Sequence, residues 1–190
     1  MIRSAIILLL AMCACASVVR AQEVVLEPEG YRTDEYRAPV PETLAGARVI
    51  TTAEAEAIWR AKNGVFIDVF PRAPKPNLPA GTIWRDRPRE NIPGSIWLPD
   101  TGYGQLAKAT EDYLRRGVER AVGGNHAALI VAYCQAKCWM SWNAAKRLVS
   151  YGYTNVAWYP EGTDGWEHAG LPMVESQPEP RPGEHGSASK

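Results

Sequence analysis

Apolar residues along this chain gather in short continuous runs, separated by stretches with helical spacing or by clusters of turn residues. The clearest run is Val65-Phe66-Ile67-Asp68-Val69-Phe70, of strand length and apolar on both faces, with one carboxylate inside it. Such a run suits a strand buried in the middle of a parallel sheet. Ala127 to Tyr133 and Asn155 to Tyr159 read the same way, with shorter strand candidates at Arg48 to Ile50 and at Ile96 to Leu98 behind the turn Pro93-Gly94. Between them lie predicted helices: Ala53 to Lys62, capped by Thr51 or Thr52 and stopped at Asn63-Gly64, then Glu111 to Val122 before Gly123-Gly124, then Ser141 to Ser150. Strand and helix alternating in this order predict an α/β fold with a central parallel sheet and helices on both faces. In such sheets the site lies at the carboxyl ends of the strands.

The two ends depart from the pattern. Met1 to Ala21 has an early Arg3, an apolar stretch from Ala5 to Val19 and small residues before a cleavage point after Ala21, the layout of a secretory signal peptide. The stretch is shorter than the roughly twenty residues that span a bilayer, so no permanent membrane span is expected after cleavage and the location is read as periplasmic or secreted. Cys13 and Cys15 lack a good lipobox, which makes a lipid anchor the lesser reading. Residues 22–47, rich in Pro, Glu and Arg, read as an extended surface arm, and 48–174 as the folded domain. Residues 175–190, with no large apolar side chain, read as a disordered tail. The chain carries 21 basic and 21 acidic residues and no long basic run, which excludes the electrostatic footprint of a nucleic-acid binder.

Of the four cysteines, two leave with the leader, so Cys134 and Cys138 remain as one close pair in an oxidising compartment. Cys134 follows the most apolar strand and precedes a helix. Its sulfur is therefore expected on a tight loop facing a helix N-terminus, where backbone N–H groups and the helix dipole stabilise a thiolate or a bound oxyanion. Lys137 adds positive charge. His126, His168 and His185 form no dyad with either cysteine, so activation rests on loop amides, the helix N-terminus and Lys137.

The order of motifs resembles a rhodanese-like domain. It runs Ile67-Asp68-Val69, Ile92-Pro93-Gly94-Ser95-Ile96-Trp97-Leu98-Pro99, the Cys134 loop, Gly152-Tyr153-Thr154-Asn155-Val156, Glu161-Gly162-Thr163-Asp164-Gly165-Trp166 and Ala169-Gly170-Leu171-Pro172. The resemblance implies that Cys134 is the persulfide-carrying nucleophile and that Gln135, Ala136, Lys137 and Trp139 form its substrate cradle. Asn91 stands where the family commonly has a histidine, and Phe70 where it often has an arginine, with Arg72 close behind. Through Cys138-Trp139-Met140-Ser141-Trp142-Asn143 and the arm Tyr36-Arg37-Ala38-Pro39-Val40-Pro41, the chain is also similar to a secreted rhodanese-like group. That group is named for a cysteine pair followed by Trp (CXXCW) and is associated with pyrroloquinoline-quinone (PQQ)-dependent alcohol catabolism. Its name has two residues between the cysteines; here there are three.

Several uses of the pair stay open. Cys134 carries sulfane sulfur, with Cys138 as resolving thiol, or the two form a dithiol/disulfide couple. The expected partner is then a small sulfur-containing anion or a periplasmic thiol or redox protein, with no cofactor. Alternatively the chain is a non-catalytic module binding copper or a redox partner, Cys134, Cys138 and Met140 supplying soft ligands for Cu(I). A static staple gains little, because the loop it closes is short. Asp68 and Arg72 are expected in supporting roles, Asp68 orienting a loop by accepting backbone N–H bonds. Arg72, Lys75, Arg85, Arg87 and Arg89 make the intervening loop basic. Trp139 and Trp142 either wall the pocket or pack in the core.

Overall fold

The computed structural model describes residues 24–74, 76–82 and 88–181. The leader predicted over residues 1–21, part of the basic loop, and His185 lie outside that range.

Local sequence sets the first helix. Thr51 and Glu54 form a reciprocal capping box at the start of α1 (Thr52–Ala61): the Glu54 N–H donates to Thr51 Oγ1 at 3.3 Å and the Thr51 N–H to Glu54 Oε2 at 2.8 Å. Lys62 then turns left-handed, with φ 52°, and closes it. The second helix, α2 (Lys108–Val122), ends on Gly123 at φ 61°, the stop the glycine pair predicts.

The central sheet uses β1 (Arg48–Val49), β2 (Val65–Asp68), β4 (Ile96–Trp97), β5 (Ile130–Tyr133) and β6 (Val156–Tyr159), in the order β1-β6-β5-β2-β4. Every pairing within it is parallel. Side-chain alternation divides the core between the two faces. Ile67, Ile130, Ala132, Val156 and Trp158 pack with α2 and with α3 (Trp139–Ser150), whereas Phe66, Val131, Tyr133, Ala157 and Tyr159 pack with α1 and with α4 (Gly162–His168). The strand ends bring Asp68, Tyr133 and Tyr159 to one edge, and the loops beyond them carry the chemistry. No helix among the described residues is long and apolar enough to cross a membrane.

Beyond the expected elements are α4 and a two-stranded antiparallel sheet of β3 (Arg89–Asn91) and β7 (Val174–Ser176). The latter corrects the reading of residues 175–190 as a disordered tail, as far as Arg181. Glu175 pairs with Glu90, the Glu179 N–H donates to the Trp97 carbonyl at 2.9 Å, and Tyr113 Oη donates to the Glu179 carbonyl at 2.6 Å. Arg120 pairs with Glu179, and Arg181 with Asp100. The unpaired backbone of short edge strands holds this segment without needing apolar side chains.

Candidate active site

Cys134 leaves the end of β5, and Cys138 is the residue from which α3 starts. Both are reduced and withdrawn from solvent, 0% and 3% exposed. The Cys134 backbone is pinned first. Its carbonyl accepts the Thr163 N–H at 3.1 Å, Thr163 Oγ1 at 3.2 Å and Arg89 Nη2 at 3.2 Å. Gly162, at φ +53°, permits the close approach, since a Cβ there would lie 2.7 Å from the same carbonyl.

Arg89 is anchored by Asp68, to whose Oδ2 its Nε donates at 2.8 Å, and its guanidinium lies 4.0 Å from the centre of the Phe70 ring. Asp68 also accepts the Phe70 N–H at 2.9 Å, the loop-orienting role expected of it. Burial pushes the Asp68 carboxyl up, against the opposing pull of Arg89, the Phe70 amide and Asn91. Burial lowers Arg89, but the Asp68 charge and hydrogen bond outweigh it and hold the guanidinium firmly protonated. Arg89 is the site residue that the sequence reading left in a basic loop. The available signal was Asp68 itself, since a carboxylate inside an apolar strand needs a cation or several donors. Arg72 is placed elsewhere, its N–H donating to Asp100 Oδ1 at 3.1 Å.

Two amides of the expected cradle are in use by the protein itself. The Ala136 N–H donates to Asp164 Oδ2 at 3.3 Å, and the Trp139 N–H to the Tyr36 carbonyl at 3.0 Å. Gln135 bridges to Gly162, and Lys137 is exposed at φ 52°. The Trp139 indole is 2% exposed and bonded through Nε1 to the Pro39 carbonyl, so it packs in the core and walls no open pocket. Trp142 is likewise buried, against the Thr43 carbonyl. Cavities of about 480 and 630 Å³ lie elsewhere: the first is lined by Arg115, Arg116, His126 and Tyr153 among others, the second by Trp59, Phe66 and Pro93.

The two thiols differ in charge preference. Burial, then the hydrogen bond and charge of Cys138, and then the Asp68 charge push Cys134 well above the ordinary thiol range. Cys138 is lowered to about 7, first by the Cys134 thiol and, against burial, by the backbone N–H groups of Met140, Ser141 and Gln135. The Met140 and Ser141 amides lie in the first turn of α3 and make no capping bond to the Cys138 side chain, so they act as oriented dipoles, and the Gln135 amide faces it from the loop. Of the two, Cys138 is therefore the thiol drawn toward ionisation, whereas the family resemblance implies Cys134 as the nucleophile. Met140 is buried beside the pair, and among the described residues no group of three or more His, Cys, Asp and Glu is placed to hold a metal.

Among solved structures, the chain is similar to the polysulfide-sulfur transferase homodimer of Wolinella succinogenes, with 17% identity over 68% of this chain and 80% of that one and a TM-score of 0.44. It is also similar to thiosulfate sulfurtransferase from Pseudomonas aeruginosa, with 18% identity over 70% of this chain and 21% of that one and a TM-score of 0.47. No curated protein matches the chain. The model of the rhodanese-like domain matches residues 52–169, from the first turn of α1 to the end of α4 with both cysteines inside, and the chain belongs to that family.

Proposed function

We infer that this rhodanese-like protein is an exported thiol enzyme whose Cys134–Cys138 pair cycles between dithiol and disulfide. The observation that carries the reading is the adjacency of two buried thiols whose surroundings act in opposite directions, drawing Cys138 toward ionisation and keeping the proton on Cys134. A lone persulfide carrier needs an open set of amides for an anionic donor, and here the Ala136 and Trp139 amides are already bound to oxygen.

In the forward step the Cys138 thiolate attacks one sulfur of a partner disulfide, whose S–S bond breaks with loss of a thiolate. Cys134 then gives up its proton and attacks Cys138 Sγ, expelling the second partner thiolate. One disulfide is reduced to two thiols, and the pair is oxidised. Mixed-disulfide formation discharges Cys138, which removes two of the influences that hold the proton on Cys134. The order inverts the one implied by the resemblance, with Cys134 as nucleophile and Cys138 as resolving thiol. The same pair also serves sulfane sulfur: a persulfide on Cys134, attacked at its inner sulfur by Cys138, yields the disulfide and HS⁻.

The partner is a periplasmic thiol or redox protein or a small sulfur-containing anion. The location rests on the leader sequence, and a link to PQQ-dependent alcohol catabolism rests on the resemblance of the cysteine-tryptophan loop. Thiol trapping of the purified protein across glutathione and dithiothreitol ratios tests the reading. Reversible titration well above about −300 mV supports a redox couple, whereas a pair that stays oxidised throughout is a staple and overturns it. Copper retained through Cys134, Cys138 and Met140 in place of disulfide chemistry points to a binding module.

A further inference from the structure

The arm predicted to lie on the surface grips one helix. Its carbonyls take donors along the whole outer side of α3. Lys146 Nζ reaches those of Pro28 and Glu29 at 2.8 and 2.7 Å, Asn143 Nδ2 that of Arg32 at 2.8 Å, and Trp142 Nε1 that of Thr43 at 3.2 Å. Trp139 gives its N–H to Tyr36 and its Nε1 to Pro39, each at 3.0 Å. In return Asn143 Oδ1 accepts the Arg32 N–H at 2.9 Å, and the Arg32 guanidinium lies 5.4 Å from the Trp139 ring centre.

The Tyr36 contact falls beside the reactive pair. The Trp139 N–H is a first-turn amide with no acceptor inside its own helix, and it belongs to the residue directly after Cys138. Tyr36 also accepts the Gly104 N–H on its hydroxyl at 3.0 Å and meets Tyr103 edge to face at 5.3 Å, and Tyr103 lies within electrostatic reach of Cys138. With the arm seated, Cys138 is 3% exposed, and Tyr36, Ala38 and Val40 of the arm pack against the cluster that contains it.

We propose that the arm is a strap over the cysteine pair, and that a substrate reaches Cys138 only after the Tyr36 carbonyl releases the Trp139 N–H. Resting on the reading of the pair as a reacting couple, this adds how that couple is gated. One motion uncovers the sulfur and returns an amide to the start of α3, directly after Cys138. The contacts to be exchanged for water are hydrogen bonds to carbonyls, individually modest in net strength, together with the packing of the partly buried Tyr36, Ala38 and Val40 against the core, while Leu44 stays buried as the strap's anchor.

Two rates in the reduced full-length protein test this: alkylation of Cys138 by iodoacetamide, located by peptide mass mapping, and hydrogen exchange of the Trp139 amide, followed by NMR. Arg32→Ala and Tyr36→Ala are expected to raise both by about tenfold and by a common factor, because one local opening limits both. Alkylation that keeps its wild-type rate while Trp139 exchange quickens overturns the strap, as does faster alkylation without faster exchange. Should either variant fail to fold, wild-type alkylation in low urea decides. Strap opening exposes little surface and responds weakly, whereas a rate that tracks global unfolding overturns the proposal. Failure of the couple reads differently: strap-limited alkylation of a pair that forms no disulfide with oxidised glutathione refutes the redox reading and leaves the strap standing.

Discussion

Arg89 joins Asp68 to Cys134: its Nε donates to the Asp68 carboxylate at 2.8 Å and its Nη2 to the Cys134 carbonyl at 3.2 Å. The ion pair is nearly enclosed, with side-chain exposures of 13% and 0%. Breaking such a pair leaves a buried charge without its partner and costs about 3–5 kcal/mol. Arg89→Met is expected to lose stability on that scale in urea denaturation, and Arg89→Lys less. Combining Asp68→Asn with Arg89→Met should recover part of the loss, since the orphaned charge is gone. A full loss in the double variant would show that the pair is not the source.

The two thiols predict opposite limbs in the dependence of stability on pH. Cys138, lowered from 9.0 to about 7, binds its proton less tightly folded than unfolded, so its contribution is fully present above the ordinary thiol value and disappears as pH falls through about 7. Cys134 is raised, so its contribution is present below the ordinary value of 9.0 and declines as pH climbs beyond it. The Tm of the reduced protein should therefore rise between about pH 6 and 9 and fall above. Cys138→Ser should abolish the rising limb, and its survival in that variant would assign it to another group.

Gly162→Ala separates backbone strain from crowding at the site. Gly162 has φ +53° and an added Cβ would meet the Cys134 carbonyl carbon and oxygen at 2.8 and 2.7 Å, whereas Gly123, at φ +61°, has nothing within 4 Å of that position. Gly123→Ala should cost about 1 kcal/mol and Gly162→Ala about 2–3 kcal/mol, as judged by thermal unfolding. Only Gly162→Ala should change the reduction potential of the pair, because only it displaces the Cys134 carbonyl.

Truncation after Gln177 removes Glu179 and Arg181 and with them the bonds to Trp97, Tyr113, Arg120 and Asp100. A Tm lowered by several degrees, corresponding to about 1–2 kcal/mol, is expected, with the alkylation rate of Cys138 unchanged. An unaltered Tm would return this segment to the role of a loose tail.

What the sequence disclosed follows from which interactions are local. The apolar runs of β2, β5 and β6, the Thr51–Glu54 box and the glycine stop at Gly123 are written within a few neighbouring residues, and each forms near where the pattern puts it. Helix α4 was missed because two glycines and a single buried Trp166 in seven residues make almost no periodic signal. The polar strand β3 exists only because β7 pairs with it from the far end of the chain. The cysteine loop stands out in the sequence as the candidate site, but the state of its amides does not: Asp164 and Tyr36, which take the Ala136 and Trp139 N–H groups, are distant in sequence. Arg89 shares its loop with other basic residues, and only contact with Asp68 distinguishes it.

The separation between the arm and its helix also bears on when the site comes into being. Arg32 and Asn143 bond across a separation of 111 positions in the chain, and Trp139 and Pro39 across one of 100. A chain emerging N-terminus first presents the arm long before α3 exists, so the arm has nothing to dock on until nearly the whole domain has been made. Contacts of such long range carry a loop-closure entropy that favours their forming late. For a protein exported as proposed, Cys134 and Cys138 would meet the surrounding disulfide pool before the proposed strap shields them, and the oxidation state in which the folded protein first appears would be decided by a race between arm docking and thiol oxidation.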